Sequence, residues 1–323
     1  MIKNVNSPTQ LLLWYFAFSV LANGQATRTP VAVARGGYAA EAPEIVSAPG
    51  QLFTLSLYGL DYFNGATEGL KGLPLPKSLN GLSVTIQQGN ESFVAPLLGI
   101  SQRRCPPSPQ PCATLTQLSV QIPYELRVND GSAEAAELLS YIIVQENGVN
   151  RGSTSLRLVK DSVHLANTCD SVFAVETGTI GNCRTVVVHG DGSYVTLQAP
   201  AKGGEYLTMY AFGLGKVFGE IRSGDGTPST ALYAPVGKFV VTARVGSNLA
   251  PQRGSPDDES IASYVGLAPG FVGLYQVNFR VPVLPAGTQS CRPGGPLESN
   301  LTVTLSGEFS FAGTGICVLA GGA

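Results

Sequence analysis

The stretch 264-YVGLAPGFVGLYQVNFRVP-282 decides how the chain is read. Its second half alternates: Tyr275, Val277, Phe279 and Val281 fall on one side of an extended strand, and Gln276, Asn278 and Arg280 on the other. That is the pattern of a half-buried β-strand. Pro282 has no N–H to donate to a ladder, so the strand ends there, and Ala268-Pro269-Gly270 is the turn that feeds it. Upstream, 117-QLSVQIP-123 repeats the device, with Leu118, Val120 and Ile122 in the places of Val277, Phe279 and Val281.

The strands that open each half match too. Ala48-Pro49-Gly50 leads to Phe53, Leu55 and Leu57 on one face and ends in Tyr58-Gly59-Leu60. Ala199-Pro200 with Gly203-Gly204 leads to Leu207, Met209 and Ala211 and ends in Phe212-Gly213-Leu214. Gly59 and Gly213 lie 154 residues apart, and Gln117 and Gln276 159 apart, so the chain reads as two copies of one unit.

Between these anchors, strands are expected at 82–87, 92–100, 138–145 and 153–159, then at 238–245, 299–305 and 309–319. With 39 glycines and 22 prolines as punctuation, this spacing predicts an all-β fold of two tandem immunoglobulin-like β-sandwiches. Ala133 to Leu139 is the only helix-like run. The expected division is a signal peptide at 1–24, a lead-in at 25–44, a first sandwich at 45–160, a connector with a hairpin at 161–198 and a second sandwich at 199–323. The long loops Asp61–Asn80 and Arg222–Pro235 follow the opening strand of each unit, where a surface insertion is tolerated.

Lys3, the apolar run Leu11–Ala22 and the small residues Ala22, Gly24 and Ala26 have the layout of an export signal. Twelve apolar residues are too few to cross a hydrocarbon core of about 30 Å, so no membrane span is expected in the mature chain. The product is expected to be secreted or at the cell surface. Charged residues are 13% of the chain and the net charge is -2, with no basic run to neutralise a row of phosphates, which argues against a nucleic-acid partner.

Six cysteines, at 105, 112, 169, 183, 291 and 317, include no CxxC pair, so disulfides are expected rather than a metal or redox motif. Of the fifteen pairings open to six cysteines, neighbours bracket plausible loops: Cys105 with Cys112, Cys169 with Cys183, and Cys291 with Cys317.

Catalytic sets are sparse. His164 lies beside Asp161 and Ser162, and His189 beside Asp191 and Ser193; a hydrolase needs one of them oriented by one group and aimed at a nucleophile, and no GxSxG elbow is present. Asp257, Asp258 and Glu259 match neither a spaced calcium loop nor a glycosidase pair. Asp191 and Asp225 read as turn formers, and Asn90 and Asn300 open glycosylation sequons. No catalytic, cofactor or metal residue is assigned. Gln276, Asn278 and Arg280 make a candidate ligand face, with Gln117 the counterpart of Gln276 in the first unit. Tyr58, Tyr206, Tyr210, Tyr264 and Tyr275 are candidate stacking platforms.

The segments YGL, LTQLSVQIP, HGDGSYV, PAKGGEYLTMYAFGLG and YVGLAPGFVGLYQVNFRVP together resemble the Solibacter-type uncharacterised C-terminal domain family of exported acidobacterial proteins. The resemblance spans roughly residues 45–319 and implies paired units of the IPT/TIG type. The first unit fits less closely, the cysteine loops look like additions, and no catalytic or binding residue carries over. The expectation is an exported non-catalytic binding or structural module, its partner a polysaccharide or an envelope protein. A carbohydrate-binding or adhesion role is the first alternative, favoured by a cluster of exposed tyrosines on one sheet, and a secreted hydrolase is the second.

Overall fold

The computed structural model describes residues 32–38, 41–42, 44–60, 67–104, 114–128, 138–173, 183–245, 260–286, 288, 291 and 301–319. Among them every regular element is a strand, apart from one 3-10 turn at Ser171–Phe173. The protein is all β, as the alternation predicts.

The first half contributes β1 (Ala32–Gly37), β2 (Glu41–Ala42), β3 (Ile45–Ser47), β4 (Leu52–Tyr58), β5 (Thr67–Glu68), β6 (Leu82–Gln88), β7 (Glu91–Ala95), β8 (Leu97–Arg104), β9 (Thr114–Gln121), β10 (Ser140–Glu146) and β11 (Val149–Leu158). One sheet runs β2-β1-β4-β9-β8-β5, the other β3-β11-β10-β6-β7. Leu55, Leu57, Leu118 and Val120 from the first meet Val84, Ile86, Ile142 and Val144 from the second in one core. Each is fully buried, which stabilises by about 1.5 to 3 kcal/mol per side chain.

The second half contributes β12 (His164–Leu165), β13 (Val187–Val188), β14 (Ala201–Lys202), β15 (Tyr206–Phe212), β16 (Val240–Val245), β17 (Ala262–Leu267), β18 (Tyr275–Arg280), β19 (Leu301–Ser306), β20 (Phe311–Ile316) and β21 (Val318–Leu319). The sheet β12-β15-β18-β17, with β13 also on β15, faces the sheet β16-β19-β20. Leu207, Met209, Val277 and Phe279 meet Val241, Val303 and Leu305 between them.

Register follows the sequence match. Ser56 stands opposite Gln117 in the first sandwich, and Tyr210, 154 residues after Ser56, stands opposite Gln276 in the second. Gly59 and Gly213 both hold a positive φ at the end of the opening strand, a conformation glycine adopts without strain.

Several expectations change. The run expected at 309–319 is two strands in different sheets, β20 and β21, and the expected connector supplies β12 and β13 to the second sandwich. The segment placed in the lead-in carries β1, which pairs with β4 from Ala32 opposite Tyr58 to Gly37 opposite Thr54. It has no clean alternation, partly because Gly36 lies where a Cβ would come within 2.8 Å of the Phe53 ring. The run at 92–100 is two strands: Pro96, which cannot donate to a ladder, separates β7 in one sheet from β8 in the other. The two long loops are not free insertions, because Leu75 N–H donates to Gly224 O at 2.8 Å. The pair Cys105–Cys112 and the run Ala133–Leu139, but for its last two residues, lie outside the described residues. Cys169–Cys183 and Cys291–Cys317 are disulfides, with Cα atoms 5.2 and 5.4 Å apart.

A third cluster welds the halves. Leu52 from the first sandwich packs with Ala166, Val172, Phe212, Ala268 and Leu274. Gln51 crosses the seam with a complete set of bonds: its Nε2 donates to Ser162 O (3.1 Å) and to the Tyr38 hydroxyl (2.9 Å), and its Oε1 accepts from Ser47 Oγ and Ala48 N. Gln121 Oε1 accepts from Gly224 N at 2.6 Å, and Tyr124 N donates to Ser223 Oγ at 2.8 Å. Gly213 sits so close to Ser162 O that an added Cβ would fall 2.0 Å from it.

Candidate functional site

Gln276, Asn278 and Arg280 share one outward face of β18, and the residues beside them widen it. Because β18 lies between β15 and β17, its outward side chains are flanked on both sides. Arg280 stands opposite Tyr206, Asn278 between Thr208 and Tyr264, and Gln276 between Tyr210 and Gly266. With strands about 4.8 Å apart, the face measures about 10 Å from β15 to β17.

Its centre is pre-ordered. Asn278 Oδ1 accepts from Thr208 Oγ1 (3.0 Å) and from Gln276 Nε2 (2.9 Å), so the two amides are fixed relative to each other. Tyr264 lies across Gly266, where an added Cβ would come 2.3 Å from the phenol oxygen; a register shift between Ala262 and Tyr264 sets the ring there. Tyr206 is 60% exposed. Arg280 is exposed, its Nε donating to Gly204 O at 3.2 Å. The face is thus two aromatic rings, two fixed amides and a guanidinium on one rigid sheet.

The other tyrosines divide. Tyr210 is half-buried against the seam cluster, and Tyr58 is half-buried at the end of β4. Tyr275 is not a platform: it is fully buried and its hydroxyl donates to Gly215 O, because its side of β18 faces the core. Burial pushes its phenol, and that of Tyr124 close by, above the ordinary range. Gln117, half-buried on β9, is the counterpart of Gln276 by register.

Neither histidine ring hydrogen-bonds to the Asp and Ser that the sequence places beside it. His164 Nε2 lies 2.8 Å from Asp170 Oδ2, not on Asp161, and its ring stacks on Tyr38 with centroids 3.6 Å apart. Ser162 Oγ instead reaches Val46 O at 3.5 Å. Asp161 is committed elsewhere: its carboxylate accepts from the N–H groups of Glu308, Phe309 and Ser310 and from Ser310 Oγ. His189 Nδ1 lies 2.6 Å from Glu205 Oε1 and its Nε2 3.1 Å from Ala199 O. Burial opposes the charged ring, but the Glu205 carboxylate and the Ala199 carbonyl outweigh it and raise the His189 pKa. Asp191 forms its turn, accepting from Ser193 N and Oγ.

Tyr38, Asp170 and Glu205 were not singled out in the sequence. Asp170 and Glu205 lie six and sixteen residues from their histidines, across a turn and a hairpin, where no periodicity signals contact. Asp257, Asp258, Glu259 and Asn300 lie outside the described residues, while Asn90 is in an exposed turn. Among the described residues no group of three or more His, Cys, Asp or Glu gathers as a metal site, and no helix is long and apolar enough to cross a membrane.

No family model matches the chain, and no curated protein matches it. Among solved structures the chain is similar to one titled "Anomalous substructure of Titin-A168169", with 10% identity over 86% of this chain and 95% of that one and a TM-score of 0.18. A likeness at that TM-score carries no argument, and the functional reading rests on the site itself.

Proposed function

We propose that the chain is an exported, non-catalytic module of two immunoglobulin-like sandwiches, copies of one unit as the Solibacter-type resemblance implies, which binds a partner outside the cell. The observation that carries the reading is the outer face of β15, β18 and β17, where Tyr206, Asn278, Gln276 and Arg280 stand together with the amides already fixed. Export is supported by the leader-like first residues and by two disulfides that need an oxidising compartment to persist. The non-catalytic part is supported by what both histidines do: each is tied to a carboxylate in a structural contact, one under a stacked tyrosine and one bridging two turns.

The exposed Tyr206 ring and the Tyr264 ring favour a saccharide as the partner. A flat aromatic face receives the apolar face of a sugar ring, while planar amides and a guanidinium pair with its hydroxyls. The test is retention of the mature protein on a panel of cell-wall and plant polysaccharides beside envelope extracts. Saturable retention on a polysaccharide, weakened at least about tenfold in Tyr206→Ala, a loss of about 1.4 kcal/mol, supports the reading. Retention unchanged by Tyr206→Ala and Arg280→Ala together moves the site off this face.

A further inference from the structure

The His189 contacts lead directly into the proposed ligand face. Both acceptors around the ring, Glu205 Oε1 and Ala199 O, require an N–H from it, and only the imidazolium carries two. The neutral ring turns one lone pair toward an oxygen and loses that contact. Glu205, held by the ring, is a junction: its other carboxylate oxygen accepts from Lys202 N (2.8 Å), its N–H donates to Lys202 O (3.1 Å) and its carbonyl accepts from Val281 N (2.8 Å). These bonds close the turn 202–205. Gly204, at the corner with a φ of +84°, donates to Val281 O at 2.7 Å and receives the Arg280 guanidinium on its carbonyl. Tyr206 is the next residue after Glu205.

We infer that His189 is a positioning residue for the ligand face: as the imidazolium it locks Glu205 and the turn 202–205, which sets Arg280 and Tyr206, and the face loosens as the pH rises and the ring loses its proton. The inference deepens the binding reading above and rests on it for its biological consequence. The charged groups around the ring come from each element that meets it. Glu205 and Lys202 stand on the turn, Asp191 on the hairpin of His189 itself, and Arg280 reaches the turn from β18. Asp191 and Glu205 both favour the proton on His189, in keeping with the geometry.

The experiment is an NMR titration of the mature, disulfide-intact protein from pH 5 to 9. It follows the His189 ring, the Arg280 Nε–H and the Tyr206 ring, with retention on the polysaccharide panel measured in parallel. The expected result is that the Arg280 and Tyr206 signals shift with the His189 midpoint, with faster solvent exchange of the Arg280 Nε–H at high pH, and that His189→Gln abolishes the shift. Glu205→Gln, which keeps an acceptor for Lys202 N but removes the charge, should move all three midpoints down together, and it serves if His189→Gln does not fold. Arg280 and Tyr206 signals that stay constant through the His189 transition overturn the inference. If those signals follow His189 but no polysaccharide is retained at any pH, the coupling stands and the saccharide reading falls.

Discussion

Tyr38 of the first half stacks face to face on His164 of the second, with ring centroids 3.6 Å apart and planes 6° from parallel. Phe212 continues the stack at 5.4 Å from Tyr38. The phenol is enclosed as well, donating to Leu52 O at 2.6 Å and accepting from Gln51 Nε2. Burial, opposed by the Gln51 bond and reinforced by nearby Asp170, pushes its pKa well up, so it stays a neutral donor. The stack is a cross-link between sandwiches, made by the residue that follows β1.

Removing the ring should therefore weaken the seam. Tyr38→Ala should cost about 3 kcal/mol, the low end for losing an aromatic side chain, because the ring is half-buried. Tyr38→Phe keeps the stack, removes the two hydroxyl contacts and should cost about 1 kcal/mol. Urea denaturation midpoints of the two variants beside the parent check the ordering; equal midpoints for Ala and Phe would show that the stack contributes nothing beyond the hydroxyl.

Asp161 offers a second test. It lies just beyond the last strand of the first sandwich, is buried, and gathers three N–H groups and one hydroxyl from the turn between β19 and β20. Gly307 makes room for it, since a Cβ there would fall 2.3 Å from Asp161 Oδ1. Asp161→Ala strands those donors and should cost roughly 3 to 4 kcal/mol; Asp161→Asn, which retains one acceptor oxygen, should cost about half as much. Amide hydrogen exchange at Glu308, Phe309 and Ser310 reports the same loss locally, and unchanged protection in Asp161→Ala would refute the assignment.

Which parts of this were legible in the sequence follows from what a pattern can encode. Alternation in 275–281 and 117–122 marks which side chains face a core, and the structure buries Val277, Phe279, Leu118 and Val120 accordingly. Glycines with positive φ at 59 and 213 marked the strand ends. Alternation says nothing about which strand lies beside which, so the row that flanks Asn278 came only with the sheet order. Tyr38 was hidden for a related reason: its partner is 126 residues away, and β1 is recognised by main-chain pairing to β4 rather than by its own side chains. The loops at 61–80 and 222–235 read as insertions because each follows the opening strand of its unit, where a surface insertion is tolerated. Loop position alone does not reveal that the two backbones bond to each other at the seam, Leu75 N–H donating to Gly224 O.

The two disulfides among the described residues should contribute unequally. Cys169–Cys183 closes a separation of 14 residues and Cys291–Cys317 one of 26, which on chain-entropy grounds are worth about 3 and about 3.5 kcal/mol. Cys317 is also buried in the second sandwich, so the Cys291→Ala/Cys317→Ala pair loses packing in addition. Removing Cys169–Cys183 acts more locally, because that bond fixes the segment that presents Asp170 to His164, with Thr168 N–H on Arg184 O across it. Denaturation midpoints of the two double variants should rank in that order, and the reverse ranking would place the larger role with Asp170.

The pH dependence of stability should carry the mark of His189 and Glu205. Folding raises the His189 pKa above its ordinary 6.5, so that contribution is full below 6.5 and is lost as the pH rises through the folded value. Glu205 is the opposite case: burial favours its neutral form, but His189 and Lys202 win and lower its pKa below 4.5. Its contribution is full above 4.5 and is lost as the pH falls through the folded value. The pair is one interaction seen from both ends, strongest between those two ordinary values. Stability measured from pH 4 to 9 should therefore decline as the pH rises above 6.5 in the parent and decline less in His189→Gln. A parent and variant whose curves stay parallel above pH 6.5 would show that the ring binds its proton no more tightly in the folded chain than in the unfolded one.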